Sequence, residues 1–165
     1  MYRFDELLKV ENRESLIGMK AESLIRLRGL GFNVPDGFVI TTDELESLTA
    51  LELSEFVDEK SAYAVRSSST GEDLADSSFA GQYDTYLNVK GLSAVFEAVR
   101  KCADSIHKEG LKAYAAYSGI DIADCKMAVI VQYMVPSEKA GVAFSINAIT
   151  GDDREIIVEA VRGSG

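Results

Sequence analysis

The sequence predicts an α+β fold with an antiparallel sheet in its second half, and three observations carry that prediction. Helical and strand-like patterns are mixed through the first 90 residues, one strongly amphipathic stretch begins at Leu92, and three strand-like runs follow at hairpin spacing. A doubly wound parallel sheet needs a crossover between successive strands, and the stretch after residue 126 leaves no room for one.

Residues 20–30, KAESLIRLRGL, place Leu24, Leu27 and Leu30 along one helical stripe, with Gly31 as a left-handed cap. VPDGFVITT then supplies a Pro-Asp-Gly turn and a short apolar run, Phe38, Val39 and Ile40, that reads as a buried strand. Residues 43–58 are acidic and leucine-bearing and predict a second helix, N-capped by Thr42 or Asp43. Residues 62–66 read as a brief strand. Residues 83–89 read as another, with Tyr83, Thr85, Leu87 and Val89 on one face and Asp84, Tyr86 and Asn88 on the other. Between them lies a hydroxyl-rich loop. Leu92, Val95, Phe96, Val99, Ala103 and Ile106 follow a 3.6-residue period, and the helix they predict resumes in LKAYAAYSG after a break at Gly110. Strands are predicted at 127–135, 141–146 and 155–161, with PSEKAG and TGDD as turns. The chain of 165 residues carries no repeat or flexible linker, so one domain is expected, with subdomains at roughly 1–90 and 91–165.

Charge narrows the function classes. Lys and Arg number 17 against 27 Asp and Glu, a formal net of -10, which repels phosphate backbones and anionic lipid. Nucleic acid and membrane surfaces are not expected partners, although a few gathered cations and N–H groups still suffice for a small anion. No stretch approaches the roughly 18 to 20 apolar residues of a membrane span, and the charged N-terminus lacks a signal-peptide run, so a cytoplasmic protein is expected. Cys102 and Cys125 form no metal-binding pattern and read as reduced thiols.

Candidate chemistry begins with what is missing. His107 is the sole histidine and has no partner pattern for nucleophilic catalysis, and neither a Walker A loop nor a Rossmann glycine fingerprint is present. Lys20 follows Ile17, Gly18 and Met19 at a helix start, where the macrodipole favours an anion; a solvated first-turn lysine reads equally well. Arg66 ends an apolar strand beside small hydroxyl residues, and its planar fork suits phosphate or carboxylate; an ion pair to Glu72 or Asp73 is the rival. Residues 78–85 offer Gly81 for close backbone approach, the Gln82 amide and the Thr85 hydroxyl, a set able to cradle phosphate oxygens. Gln132 is the only polar side chain in the apolar run around it, which fits either an outward strand face or the border of an adenine slot.

Taken in order, IGMKAESLIRLRGLGFNVPDGFVITT, AVRSSSTGEDLADSSFAGQYDTYLNV and VIVQYMVPSEKAGVAFSINAITG resemble the N-terminal nucleotide-binding domain of the phosphoenolpyruvate synthase and pyruvate phosphate dikinase family, which rifampicin phosphotransferases share. The resemblance covers nearly the whole chain. It implies that residues 1–165 are the N-terminal part of an ATP-grasp-like domain whose two α+β lobes close on ATP. In the family the phosphoryl group passes to a histidine of a separate domain and then to pyruvate or another acceptor. Lys20 and Arg66 fall on the family's phosphate-contacting cations, and both are catalytic candidates on that basis. Gly81, Gln82 and Thr85 fall on its glycine-rich phosphate segment, and Gln132, Tyr133, Met134 and Val135 on the strand bordering the adenine. Under this reading the arginine neutralises developing charge, the hydroxyl loop orders around it, and Gly81 lets the backbone approach.

Two departures qualify the match. Gly18-Met19-Lys20-Ala21 stands where the family has a more glycine-rich Gly-Lys-Gly loop. The sequence also stops at VEAVRGSG, ahead of the strands that carry the family's magnesium ligands, so Mg2+ is expected to be held by residues beyond this chain, and the phosphohistidine and pyruvate-binding domains by a longer one. A fragment of a phosphotransferase and a non-catalytic nucleotide-binding or partner-binding module are both compatible with that truncation.

Overall fold

The computed structural model describes residues 1–71, 73–74, 77–78, 83–108, 125–147 and 149–163, which divide into two compact units, Met1–Met134 and Val135–Gly165. In the first unit strands β1 (Tyr2–Arg3), β2 (Gly37–Ile40), β3 (Ala62–Ser69), β6 (Thr85–Lys90) and β7 (Met127–Tyr133) form one sheet in the order β1-β2-β7-β3-β6. Every neighbouring pair is antiparallel, but four of the five strands come from the first 90 residues and not from the second half, where the sequence predicts the antiparallel sheet. β4 (Asp73–Leu74) and β5 (Ser77–Ser78) make a separate two-stranded pair. The helices are α1 (Phe4–Leu7), α2 (Glu14–Gly29), α3 (Ala50–Ser54) and α4 (Leu92–Asp104), the last followed by a single 3-10 turn at Ser105–His107. The unit is thus an α+β domain in which residues on both sides of position 90 pack together.

β7 lies at the centre of the sheet because its sequence, MAVIVQY, carries no charge and suits burial on two faces. Ala128 and Ile130 pack with Val39 under Phe4 and Leu7 of α1 and Ile17, Ala21 and Ile25 of α2. Met127, Val129 and Val131 face the other way, with Phe38, Ile40, Tyr63 and Val65 against Val95, Ala98, Val99 and Cys102 of α4. The period of two along each strand sorts its residues between these two layers.

The stripe of α2 differs from the predicted one. Ile17, Ala21 and Ile25 are fully buried, Leu24 is partly buried, and Leu27 and Leu30 are exposed. The helix bends at Gly18, where φ is +73°, and its contact line runs through a small residue that hydrophobic counting underweights. Gly31 does adopt the left-handed conformation, with φ of +85°. The predicted helix over 43–58 shrinks to Ala50–Ser54. Its cap is neither Thr42 nor Asp43 but Thr49, whose hydroxyl accepts from the Glu52 N–H while the Glu52 carboxylate accepts from the Thr49 N–H. Upstream, Glu44 takes the N-terminal amine of Met1 and the Thr41 hydroxyl, and these contacts hold turns in place of helix.

In β6 the predicted alternation breaks. Tyr63 pairs with Val89 but Val65 pairs with Tyr86, so β6 carries an extra residue opposite β3. Asn88 absorbs it with a φ of 57°. Tyr86 and Val89 therefore both turn toward the α4 layer, and Leu87, predicted to share a face with Val89, is exposed. α4 has the predicted face; the LKAYAAYSG stretch lies outside the described residues. The second unit pairs β8 (Lys139–Phe144) with β9 (Ile157–Arg162) antiparallel, from Lys139 opposite Arg162 to Phe144 opposite Ile157.

The bulge yields a test. Valine is strongly disfavoured at positive φ, so Asn88→Val should lower the unfolding free energy in urea by about 1–2 kcal/mol, while Asn88→Gly, at home there, leaves it nearly unchanged. Equal losses in the two variants would refute the bulge.

Candidate functional site

Arg66 stands opposite Ile130 of β7 on one side and Thr85 of β6 on the other. Directly opposed residues share a sheet face, so Arg66 and Thr85 lie together on the face covered by α2. Arg66 is half-buried, and its Nε is buried with no hydrogen-bond partner among the described residues. Leaving a buried donor unsatisfied costs about 1–3 kcal/mol, and more for a charged group. Such an atom in a native fold calls for an acceptor, and the guanidinium fork fits a phosphate or carboxylate. Glu72, the rival partner, and the side chain of Asp73 lie outside the described residues.

The serines that follow are not a loop. β3 continues through Ser69, and Ser67, Ser68 and Ser69 are all completely buried. Their hydroxyls are individually occupied: Ser67 Oγ donates to the Asp84 carbonyl (2.9 Å), Ser68 Oγ accepts from the Ala21 N–H (3.0 Å), and Ser69 Oγ accepts from the Gly71 N–H (3.1 Å). Thr70 Oγ1 accepts from the Lys126 N–H at 2.9 Å. The hydroxyl run thus joins β3 to β6, to α2, to its own turn and to the start of β7, correcting the reading in which these hydroxyls form a loop around the arginine.

Lys20 approaches from α2. A side chain at Gly18 would place its Cβ 2.4 Å from the Ser68 carbonyl oxygen, so only glycine lets the helix come this close to β3. Lys20 is half-buried, and its Nζ donates to the Ser67 carbonyl at 3.1 Å. Its ammonium therefore meets the backbone of the residue next to Arg66.

Of the residues singled out from the sequence, Lys20, Arg66 and Thr85 converge. Gly81 and Gln82 lie outside the described residues. Gln132 shares the α2 face, opposite Gly37 and Ala64 and diagonal to Arg66, but it is buried and its Nε2 donates to the Pro35 carbonyl at 2.8 Å. Tyr133 faces the other layer, its ring 5.0 Å from that of Tyr63, and its N–H donates to the Asp36 carbonyl. The Met134 N–H donates to the Ala62 carbonyl. Val135 belongs to the second unit and is exposed.

Sequence reading passed over Asp84. Its carboxylate meets Lys108 Nζ and the Tyr86 hydroxyl, and its carbonyl accepts from Ser67. The Lys108 hydrogen bond holds the Asp84 carboxyl below its ordinary range, and burial, followed by the Asp84 contact, pushes Tyr86 up to about 12. Burial likewise raises the Cys102 thiol to about 12, which keeps it protonated and inert. A cavity of about 610 Å3 lies between α4 and the start of β7, lined among others by Asp43, Arg100, His107, Cys125 and Lys126; none of the sequence-predicted site residues lines it. No group of three His, Cys, Asp or Glu able to hold a metal occurs among the described residues, and no described helix is long and apolar enough to cross a membrane.

The family described as pyruvate phosphate dikinase, AMP/ATP-binding domain, matches residues 49–165, which take in Arg66, Thr85 and all of β7. The chain belongs to that family. Within this dikinase-type family it is 37% identical to an uncharacterized phosphotransferase of Bacillus subtilis, YvkC, over 95% of the chain and 22% of the relative. A rifampicin phosphotransferase of the same organism is 35% identical over 96% of the chain and 17% of its own length. A probable phosphoenolpyruvate synthase of Methanocaldococcus jannaschii is 45% identical over 62% of the chain and 9% of its length. The chain thus spans under a quarter of these phosphotransferases.

The Asp84 contact predicts a pH dependence. A carboxyl whose folded pKa is depressed stabilises the fold above its unfolded value, about 3.9, and that contribution disappears as pH falls through the folded value. The stability gap between the wild type and Asp84→Asn, followed by urea denaturation, should therefore be present at pH 7 and shrink between about pH 5 and 2. A gap that stays constant over this range would refute it.

Proposed function

We propose that residues 1–165 are the N-terminal part of the ATP-binding domain of a cytoplasmic phosphotransferase, ATP-grasp-like in fold. Its larger chain would pass the ATP phosphoryl group through a phosphohistidine domain to pyruvate, as in phosphoenolpyruvate synthase, or to another acceptor such as a rifamycin. The observation that carries the reading is the buried Arg66 Nε, without a hydrogen-bond partner among the described residues, on the sheet face that also holds Thr85 and the approach of Lys20. Membership of an AMP/ATP-binding family supports a nucleotide as the anion that completes it.

In this reading Arg66 presents a planar fork to the phosphoryl oxygens and Lys20 a point charge beside it. Thr85, on the strand next to Arg66, offers a hydroxyl, and Gly81 and Gln82 offer the backbone approach and amide of the phosphate segment. The Gln132 amide is tied to Pro35, and the Tyr133 and Met134 N–H groups to Asp36 and Ala62, which holds this strand end, the proposed border of the adenine, in place. When bound with the nucleotide, Mg2+ would supply charge neutralisation to the phosphates. Arg66 acts on turnover more than on binding, because the phosphoryl group carries more exposed charge in the transition state than in the ground state.

In the full-length protein, Arg66→Ala should lower the single-turnover rate of labelling by ATP about 10²-fold to 10³-fold, roughly 3–4 kcal/mol, while ATP affinity measured by calorimetry changes far less. Arg66→Lys should recover only part of the rate, since an ammonium lacks the bidentate geometry. A variant that loses melting temperature but labels at the wild-type rate would make Arg66 structural and end this assignment.

A further inference from the structure

We infer that Ser68 is a positioning residue, setting the spacing between Lys20 and Arg66 by accepting the Ala21 N–H; the inference rests on the nucleotide reading above and deepens it. Ser68 lies two residues beyond Arg66 on β3, and so on the same face. Its side chain is completely buried, and the 3.0 Å bond from the Ala21 N–H to its Oγ is buried as well. Ala21 stands in the first turn after the bend at Gly18, where backbone N–H groups lack partners within the helix. The Ser68 hydroxyl serves as the cap for that restarted helix, supplied from 47 residues away.

Two further contacts make the joint a fixed one. The Gly18 backbone rests on the Ser68 carbonyl so closely that no Cβ fits, and Lys20 Nζ reaches the Ser67 carbonyl. Lys20 is therefore held between contacts at positions 18 and 21, both to Ser68, the residue that shares a strand face with Arg66. The helix cannot slide along β3 without breaking the Ala21 bond or driving Gly18 into the strand. Two cations that must meet the same phosphate group need a fixed separation, and a misplacement of about 1 Å is enough to cost about 10²-fold in rate.

The test is a double-mutant cycle in the full-length protein, read by the second-order rate of phosphoenzyme formation with ATP. Ser68→Ala should lower that rate about tenfold in enzyme that remains folded at the assay temperature. In a Lys20→Ala background the same substitution should lower it by less than about twofold, because the cation it positions is already gone. A Ser68→Ala enzyme that melts earlier but reacts at the wild-type rate, or that loses the same factor in both backgrounds, overturns the proposal. Should Ser68→Ala fail to fold, Ser68→Cys, which keeps a weak acceptor at that position, enters the cycle with the same criteria. Failure of the underlying nucleotide reading looks different: the wild type would then not be labelled by ATP, or Lys20→Ala and Arg66→Ala would both leave labelling intact, and either outcome removes both assignments.

Discussion

Burial of β7 on both faces is the constraint on which the rest of the first unit depends. A strand with apolar side chains on both faces needs a layer above and a layer below, and the chain provides α1 and α2 for one, α3 and α4 for the other. β2 and β3 flank it antiparallel, which brings the early and middle parts of the sequence onto the same platform. The single polar side chain that β7 buries, Gln132, satisfies its amide on the Pro35 carbonyl and so helps fix the turn that feeds β2. Arg66 is carried to its position by the same ladder, at the point where the sheet face passes from dry packing under α2 toward the edge strand β6.

The polar residues near that point divide into two kinds. Ser67, Ser68 and Ser69 are buried and matched to named partners, which is the usual condition for polar groups in a core. The Arg66 Nε is buried and has no hydrogen-bond partner among the described residues. The contrast marks Arg66 more sharply than the abundance of hydroxyls does: the serine hydroxyls are matched within the scaffold, and the Arg66 Nε is not matched among the described residues. The close approach of Gly18 to β3 gives the scaffold its tightness, since it removes the side chain that would otherwise hold α2 away from the sheet.

Much of this was legible in the sequence where a pattern repeats. Phe38, Val39 and Ile40, the α4 face from Val95 to Cys102, and the antiparallel character of the later strands follow from periodicity and turn spacing. The failures each trace to one local event. Gly18 bends α2 and hands the inward stripe to Ile17, Ala21 and Ile25; Asn88 adds a residue to β6 and moves Val89 from the side of Thr85 and Leu87 to the side of Tyr86. Serine and threonine favour turns, so a strand end rich in them read as a loop. Lys20, Arg66 and Thr85 stood out by residue type, but Ser68 and Asp84 could not, because their roles exist only through partners that sequence distance hides. Lys108 is 24 residues from Asp84, and Ala21 is 47 from Ser68.

The hydroxyls at the end of β3 also tie together the exchange behaviour of distant amides. The N–H groups of Ala21, Gly71 and Lys126 come from three separate segments, yet each donates to a side chain of the four-residue stretch Ser67, Ser68, Ser69 and Thr70. Opening that stretch removes the acceptors from all three together, so their protons share one protecting event and belong to a single cooperative unit of local unfolding.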